Sequence, residues 1–274
     1  MLNILWDTRG YFFWLLVVSL ACFALEWIRP WRTGQKQLRP QLGQDLVWLV
    51  LNGHYVGIAI SAVSVYLAGL VWPDFFATME GVRLLGTAPI AVQILVFFVV
   101  KDFVEWGVHN LLHRNRFLWE FHKLHHSIED MDWIGNLRFH WMEIVVYHTL
   151  TYLPLVVLGV EGRVILWIAI FGTVIGHLNH SNLNLTWGPL RYVLNSPRMH
   201  IWHHDHDPPA EHPQGVNFGI SLSVWDWVFG TAWWPSREDA PTQQPARLGF
   251  AGLKRFPRSL LGRMAYPFVR RRGS

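Results

Sequence analysis

Ten histidines stand in four short clusters whose spacing lets their imidazoles converge on a metal. His109 and His113 form an H-x3-H pair, and His122, His125 and His126 form an H-x2-HH triplet. His177 and His180 form an H-x2-H pair. His200, His203 and His204 repeat the triplet, with His206 just beyond. Residues three and four apart share one face of a helix, so each cluster can aim two or three rings at a common point. Packed together without a cation, so many rings would leave nitrogens unpaired or mutually repelling. The pattern therefore points to metal binding. His54, His148 and His212 stand alone and read as ordinary hydrogen-bonded residues, as does any single histidine.

A single zinc takes about four ligands, so this set suits two metals with four or five protein ligands each. Imidazole serves zinc, copper, iron and nickel alike, so ligand type leaves the metal open. There is no H-E-x-x-H run, and with it goes the usual zinc-protease pairing of two ligands and a general base. Two rival chemistries stay open from the residues alone. One is a zinc-dependent membrane hydrolase acting on lipid amides or esters. The other is a metal carrier or sensor, for which polar residues along several spans would be expected.

The elements that must hold these clusters are apolar. Of 274 residues, 51% are hydrophobic and only 15% charged, against about 25% charged in a typical soluble domain. That charge cannot cover a globule of this size, so lipid is expected as part of the solvent. The 17 tryptophans fit an interfacial belt. The net charge of +4 sits in short loops and a C-terminal tail, where topology accounts for it, and no base-reading motif accompanies it. Nucleic acid is not an expected partner. The one cysteine, Cys22, excludes an intrachain disulfide and a thiolate zinc site.

Five apolar segments are read at 11–28, 46–72, 89–106, 144–160 and 164–180. The first three are long enough to span a membrane. The last two, joined by Glu161, Gly162 and Arg163, read as a tight hairpin. Pro30 and Pro73 stop the first two segments, Thr87 and Pro89 open the third, and Pro154 is expected to kink the fourth. The first segment runs into Glu26, Trp27, Ile28 and Arg29 rather than a small-residue cleavage site, so it is expected to stay as an anchor. Arg29, Arg32, Lys36 and Arg39 place the loop after it in the cytoplasm by the positive-inside rule. Alternation then puts 107–143 and everything after about 180 on the same side, which is the side of all four histidine clusters. Ser196 as N-cap, Pro197 at the first turn, and Pro208 with Pro209 beyond predict one short helix carrying His200, His203 and His204.

The motifs resemble those of the sterol desaturase or fatty acid hydroxylase superfamily of membrane histidine-box, non-haem di-iron oxygenases. The matching stretches are HNLLHR (109–114), FHKLHHS (121–127), RFH (138–140) with Glu143, HSNL (180–183), SPRMHIWHH (196–204), NFG (217–219), Trp225–Asp226 and FGT (229–231). Their order and gaps match over about 100–231. The resemblance implies two iron ions, dioxygen as co-substrate, and hydroxylation or desaturation of a lipid C–H bond, with hydroxylation favoured. A cytochrome- or ferredoxin-type reductase chain would supply two electrons. It also implies His109, His113, His122, His125, His126, His177, His180, His200, His203 and His204 as ligands. His140 is either a further ligand or a donor behind one, and His206 lies outside the pattern. Asp226 either orients a ligand imidazole or caps a helix. Asn217 stands near the site, or with Gly219 and Gly230 merely shapes turns.

The expected protein is therefore all-α: an integral membrane helical bundle with a cytoplasmic helical cap carrying a histidine-rich di-metal site. Residues 1–99 supply N-terminal transmembrane helices. Residues 100–235 form the catalytic region, including the membrane hairpin at 144–180. Residues 236–274 form a basic tail, either loosely ordered or in contact with anionic headgroups. A multi-pass protein of the bacterial cytoplasmic membrane is expected, with its active site on the cytoplasmic side.

Overall fold

The computed structural model describes residues 6–236 and 244–269. Helices dominate. Among the described residues no strand forms, and only isolated bridges pair Leu194 with Leu222 and Asp205 with Leu248. Two long apolar helices come first. α1 spans Tyr11–Ile28. α2 (Leu42–Val50) runs through a π-helical turn at Leu51–Val56 straight into α3 (Gly57–Val71). After the short α4 (Phe75–Val82) come α5 (Ile90–Arg114), α6 (Arg116–His126), α7 (Trp141–Val157) and α8 (Gly162–His180). The short α9 (Pro197–His200), α10 (Val224–Phe229) and α11 (Leu260–Ala265) follow.

Three helices are long and apolar enough to cross a membrane: Tyr11–Ile28, Leu42–Val71 and Gly162–His180. This corrects the reading of segment lengths. The fifth apolar segment qualifies. The third becomes the 25-residue α5, which carries Lys101, Asp102 and Glu105 in its middle. The prolines act largely as expected: α1 ends before Pro30, α3 ends before Pro73, and Pro89 caps α5. Pro154 sits inside α7, which runs on to Val157. Ile58, Val63, Tyr66, Leu67 and Leu70 of α3 are exposed, so its apolar surface has no protein partner among the described residues.

Two apolar cores hold the long helices together. Phe97, Leu155, Val160, Val164 and Ile168 join α5, α7 and α8. Leu15, Cys22 and Leu49 pack with Trp133 and Ile134, joining α1 and α2 to the segment before α7. At the histidine-bearing end, polar side chains tie loops to loops. Glu26 accepts backbone N–H bonds from Trp133 and Asn182, both at 2.8 Å. Arg39 grips Asp132 through both carboxylate oxygens at 2.7 and 2.6 Å, and Arg138 grips Asp45 in the same way. These pairs are almost fully buried. Burial of this kind is tolerated only when the charges are paired and hydrogen-bonded. The loop after α1, the segment between α6 and α7, and the chain after α8 thus share one end of the helices.

The tail differs from a loosely ordered one over 244–269. Phe250 and Phe256 are buried against Trp48 and Leu124, and Arg263 is buried while donating to the Pro257 carbonyl. Two aromatic side chains supply the apolar area that a merely basic tail would lack. Arg270, Arg271 and Arg272 of the basic tail lie outside the described residues.

Candidate metal centre

Nine imidazoles converge in two adjacent groups. His109, His113, His122, His126 and His203 form one, and His125, His180, His200 and His204 form the other. Within each group the facing nitrogens lie within 4.8 Å of one another. The groups touch, with the rings of His126 and His204 stacked at 4.5 Å between centroids.

Local structure explains the convergence. α5 brings His109 and His113 to one face. A turn at Asn115, whose side chain caps α6, folds α6 back so that His122 and His126 face them, while His125 turns to His180. Ser196 caps α9 by accepting from Met199 N, as its position predicts. The helix is shorter than predicted, however. After His200 the chain continues in tight turns, with His203 N bonded to His200 O and His204 N to Ile201 O. His203 joins the five-histidine group and His200 and His204 the other, so this triplet, like that of α6, divides between the two.

Hydrogen bonds fix which nitrogen each ring presents. His109 Nδ1 donates to Phe218 O at 2.7 Å, His113 Nδ1 to Gln214 O at 3.0 Å, and His203 Nδ1 to Val216 O at 2.8 Å. The acceptors are alternate carbonyls of one stretch, 214–218, whose backbone takes left-handed φ values at Gly215 and Asn217. His180 Nδ1 donates to Gly176 O at 2.8 Å, and His122 Nδ1 to Glu143 Oε1 at 2.6 Å. A neutral imidazole has one N–H, so each of these rings is left with a bare Nε2.

Each bare nitrogen faces another imidazole nitrogen. The Nε2 atoms of His109 and His122 are 3.2 Å apart, and His126 Nε2 is 3.1 Å from both His113 and His203 Nε2. His180 Nε2 is 3.2 Å from both His125 and His200 Nε2. Both ring nitrogens of His204 are buried without a hydrogen-bond partner. Facing lone pairs repel unless a cation lies between them. Imidazole nitrogens about 2.1 Å from one ion stand roughly 3.0–3.4 Å apart at right-angled to tetrahedral geometry, which fits the spacing. Burial first, and then the neighbouring rings, push His122, His125, His126, His200, His203 and His204 well below the ordinary histidine range. The rings are therefore neutral and ready to ligate.

Two predicted site residues lie elsewhere. His177 is outside both groups, with Nε2 3.1 Å from Ser19 Oγ and Nδ1 2.9 Å from Asn136 Nδ2. It shares α8 with His180, but one turn short of the cluster its ring reaches α1 instead. His140 caps α7 by accepting from Met142 N, and its Nε2 donates to Met264 O at 3.0 Å. His206 lies apart, against Asp207. His54 and His148 line a cavity beside the histidines, a role the reading of lone histidines had not given them.

Asp226 touches no imidazole. It accepts from Phe218 N, Gly219 N, Trp106 Nε1 and Thr231 Oγ1, and so holds the stretch whose Phe218 carbonyl orients His109. Asn217, at φ +55°, bonds Met199 O and Trp233 O. Gly219 leaves no room for a Cβ, which would run into the Leu222 carbonyl, and Gly230 is the left-handed cap of α10. The residue that sequence reasoning left out of the site is Glu143, although it stood beside the RFH match. A carboxylate three residues after His140 carried the signal.

A cavity of about 550 Å³ reaches His109, His122, His125 and His180 from between α1, α3, α5, α7 and α8.

A family profile described as fatty acid hydroxylase matches residues 94–231. Ornithine lipid hydroxylase OlsE of Rhizobium tropici is 33% identical over 183 residues, covering 67% of this chain and 52% of that protein. Alkylglycerol monooxygenase of Xenopus tropicalis is 29% identical over 142 residues, 49% of this chain and 29% of that one. Methylsterol monooxygenase 1-3 of Arabidopsis thaliana is 23% identical over 157 residues, 56% and 52% of the two chains. The matched region thus spans about half or less of each of these relatives. No solved structure matches the chain.

Proposed function

The chain belongs to the fatty acid hydroxylase family, and from that premise we propose that it is a membrane-bound di-iron oxidoreductase that uses dioxygen to hydroxylate a C–H bond of a lipid. The observation that carries the reading is the set of Nε2 atoms facing one another 3.1–3.2 Å apart, with the Nδ1 protons of His109, His113, His122, His180 and His203 committed elsewhere. The five-histidine group would hold one iron and the four-histidine group the other. The histidine-bearing end would form a cytoplasmic cap on a membrane bundle, since the basic loop after α1 packs against it. The exposed apolar faces of α1, α3 and α8 would meet lipid.

Bound there, the two irons would supply reduction of dioxygen and removal of hydrogen from the substrate. The residues of the chain do the rest. Glu143 holds the proton on His122 Nδ1, and the carbonyls of Gln214, Val216 and Phe218 hold those on His113, His203 and His109, so these four Nε2 atoms stay free to ligate. The cavity admits an apolar chain to the histidines and keeps bulk water away. Hydroxylation consumes one O2, two electrons and two protons per C–H bond and releases water. An electron-donating reductase is therefore a required partner. Hydroxylation is favoured over desaturation because the relatives are named hydroxylase and monooxygenase.

The test is metal content and oxygen uptake of the detergent-purified protein, given a chemical reductant and a lipid extract. Two irons per chain, oxygen uptake and a lipid product heavier by one oxygen atom are expected. Turnover without oxygen that zinc restores after iron removal would instead mean a hydrolase.

A further inference from the structure

The cavity that meets the histidines also holds a charged pair that the metal site does not use. Lys101 Nζ donates to both carboxylate oxygens of Glu105 at 2.6 Å, and both side chains are over nine-tenths buried. They lie two turns and one turn before His109 on α5, on its own face, about 12 and 6 Å from it along the axis. Tyr147 lines the same cavity beside Glu105, and the ring of Tyr152 lies 5.7 Å from the ammonium. All four residues line the cavity together with His109 and His122.

Stability does not account for this pair. Buried ion pairs cost more in desolvation than well-packed apolar side chains of the same volume, and the neighbouring cores show that this sequence can supply such side chains. Asp102, between the two, has a structural task. It accepts from Ser221 N, Leu222 N and Trp225 Nε1, and so anchors the chain after the site to α5. Lys101 and Glu105 anchor nothing comparable. On the α8 side Gly172 leaves the ammonium uncrowded: even an added Cβ would stand 3.6 Å from it. An ionisable pair at this depth, open to a cavity, reads as a site for a ligand.

We propose that Lys101, Glu105 and Tyr147 form a hydrogen-bonding subsite for an uncharged polar group of the substrate, an amide or hydroxyl, held about 6–12 Å from the carbon presented to the histidines. This rests on the lipid-hydroxylase reading above and names the substrate class. Lys101 keeps one N–H beyond the two given to Glu105, and the carboxylate keeps lone pairs beyond those it uses. A group that both donates and accepts completes both residues. The pair is neutral overall and Asp102 adds negative charge close by, so a carboxylate or phosphate would be disfavoured. A bare hydrocarbon would leave the pair unsatisfied.

The experiment uses iron-loaded full-length protein in nanodiscs, with metal content and oxygen uptake read on the same samples. Binding is compared for N-palmitoylethanolamine, palmitate and hexadecane. Wild type is expected to prefer the amide over the alkane by about tenfold or more, with palmitate no better than the alkane. Lys101→Met/Glu105→Gln removes both charges together and is expected to bring that preference to within about twofold with metal content unchanged. Tyr147→Phe deletes one hydroxyl and is expected to lower it about threefold; it decides the matter if the double variant loses metal. A wild type without preference for the amide, a preference for palmitate, or a preference that survives these substitutions would overturn the subsite. Wild type that carries no iron or takes up no oxygen would instead count against the oxygenase reading, while the binding comparison still stands.

Discussion

Replacing Glu143 by glutamine should loosen one metal and spare the other. The carboxylate receives the Nδ1 proton of His122 at 2.6 Å, with both side chains 1% exposed. That bond turns His122 so that its Nε2 faces His109 Nε2 at 3.2 Å. Glutamine keeps the shape and an acceptor oxygen but removes the charge, so the ring is both less basic and less firmly held. Loss of such a partner behind a ligand costs about 10–100-fold in metal affinity, or about 1.4–2.7 kcal/mol. His180, which links His125 and His200 in the other group, is oriented by Gly176 O and not by Glu143. The assay is dialysis of iron-loaded protein against graded chelator, counting metals per chain. The variant should release one metal at about 10–100-fold lower chelator than wild type and hold the second as wild type does. Release of both metals together, or of neither, would refute the claim that Glu143 acts through His122.

Three further outcomes are expected. His177→Ala should keep two metals per chain and His180→Ala should lose at least one, since only His180 faces other ring nitrogens; metal analysis of the two purified variants checks this. The buried imidazoles have folded pKa values below their unfolded value of about 6.5, so the metal-free protein should be fully stable above that pH and lose stability as pH falls below it. Thermal midpoints from pH 8 to pH 5 read this, and a midpoint flat across the range would mean the rings are not buried neutral. Gly219→Ala should destabilise the protein by about 1–3 kcal/mol, because the new methyl displaces Leu222 O or Asp226 from its hydrogen bonds; urea unfolding measures it, and an unchanged midpoint would contradict the packing.

The converging histidines were legible because metal binding needs particular atoms at particular spacings, and helical period turns spacing into direction. That logic holds for His109 and His113 and for His122 and His126, while His125 serves the other group. It fails for His177, whose spacing to His180 matches the pattern while its ring turns to Ser19 and Asn136. Position within a motif does not say which neighbouring helix a ring will meet. The helix stop signals were readable at Pro30 and Pro73, since proline's missing N–H acts locally. The π turn at 51–56 was not. Its purpose is tertiary, placing Asn52 where its amide donates to Leu137 O and Phe139 O, both at 2.9 Å. The carbonyls of Gln214, Val216 and Phe218 were equally hidden, because backbone acceptors leave no mark on residue type.

Those carbonyls explain why α5 carries more than its two ligands. The stretch 214–218 can orient imidazoles only if it is held in place. Asp226 holds the stretch at Phe218 N and Gly219 N, and Trp106 of α5 donates to that same carboxylate. Asp102 of α5 holds it again at Ser221 N and Leu222 N. One helix therefore presents His109 and His113 and also sets the register of the chain that aims them. Asp226→Asn leaves a similar volume but turns one acceptor oxygen into a donor facing an N–H. It should therefore weaken metal binding at the five-histidine group before it unfolds the protein. Chelator titration alongside circular dichroism separates the two effects. Unfolding that precedes or accompanies metal loss would show that Asp226 serves the fold alone.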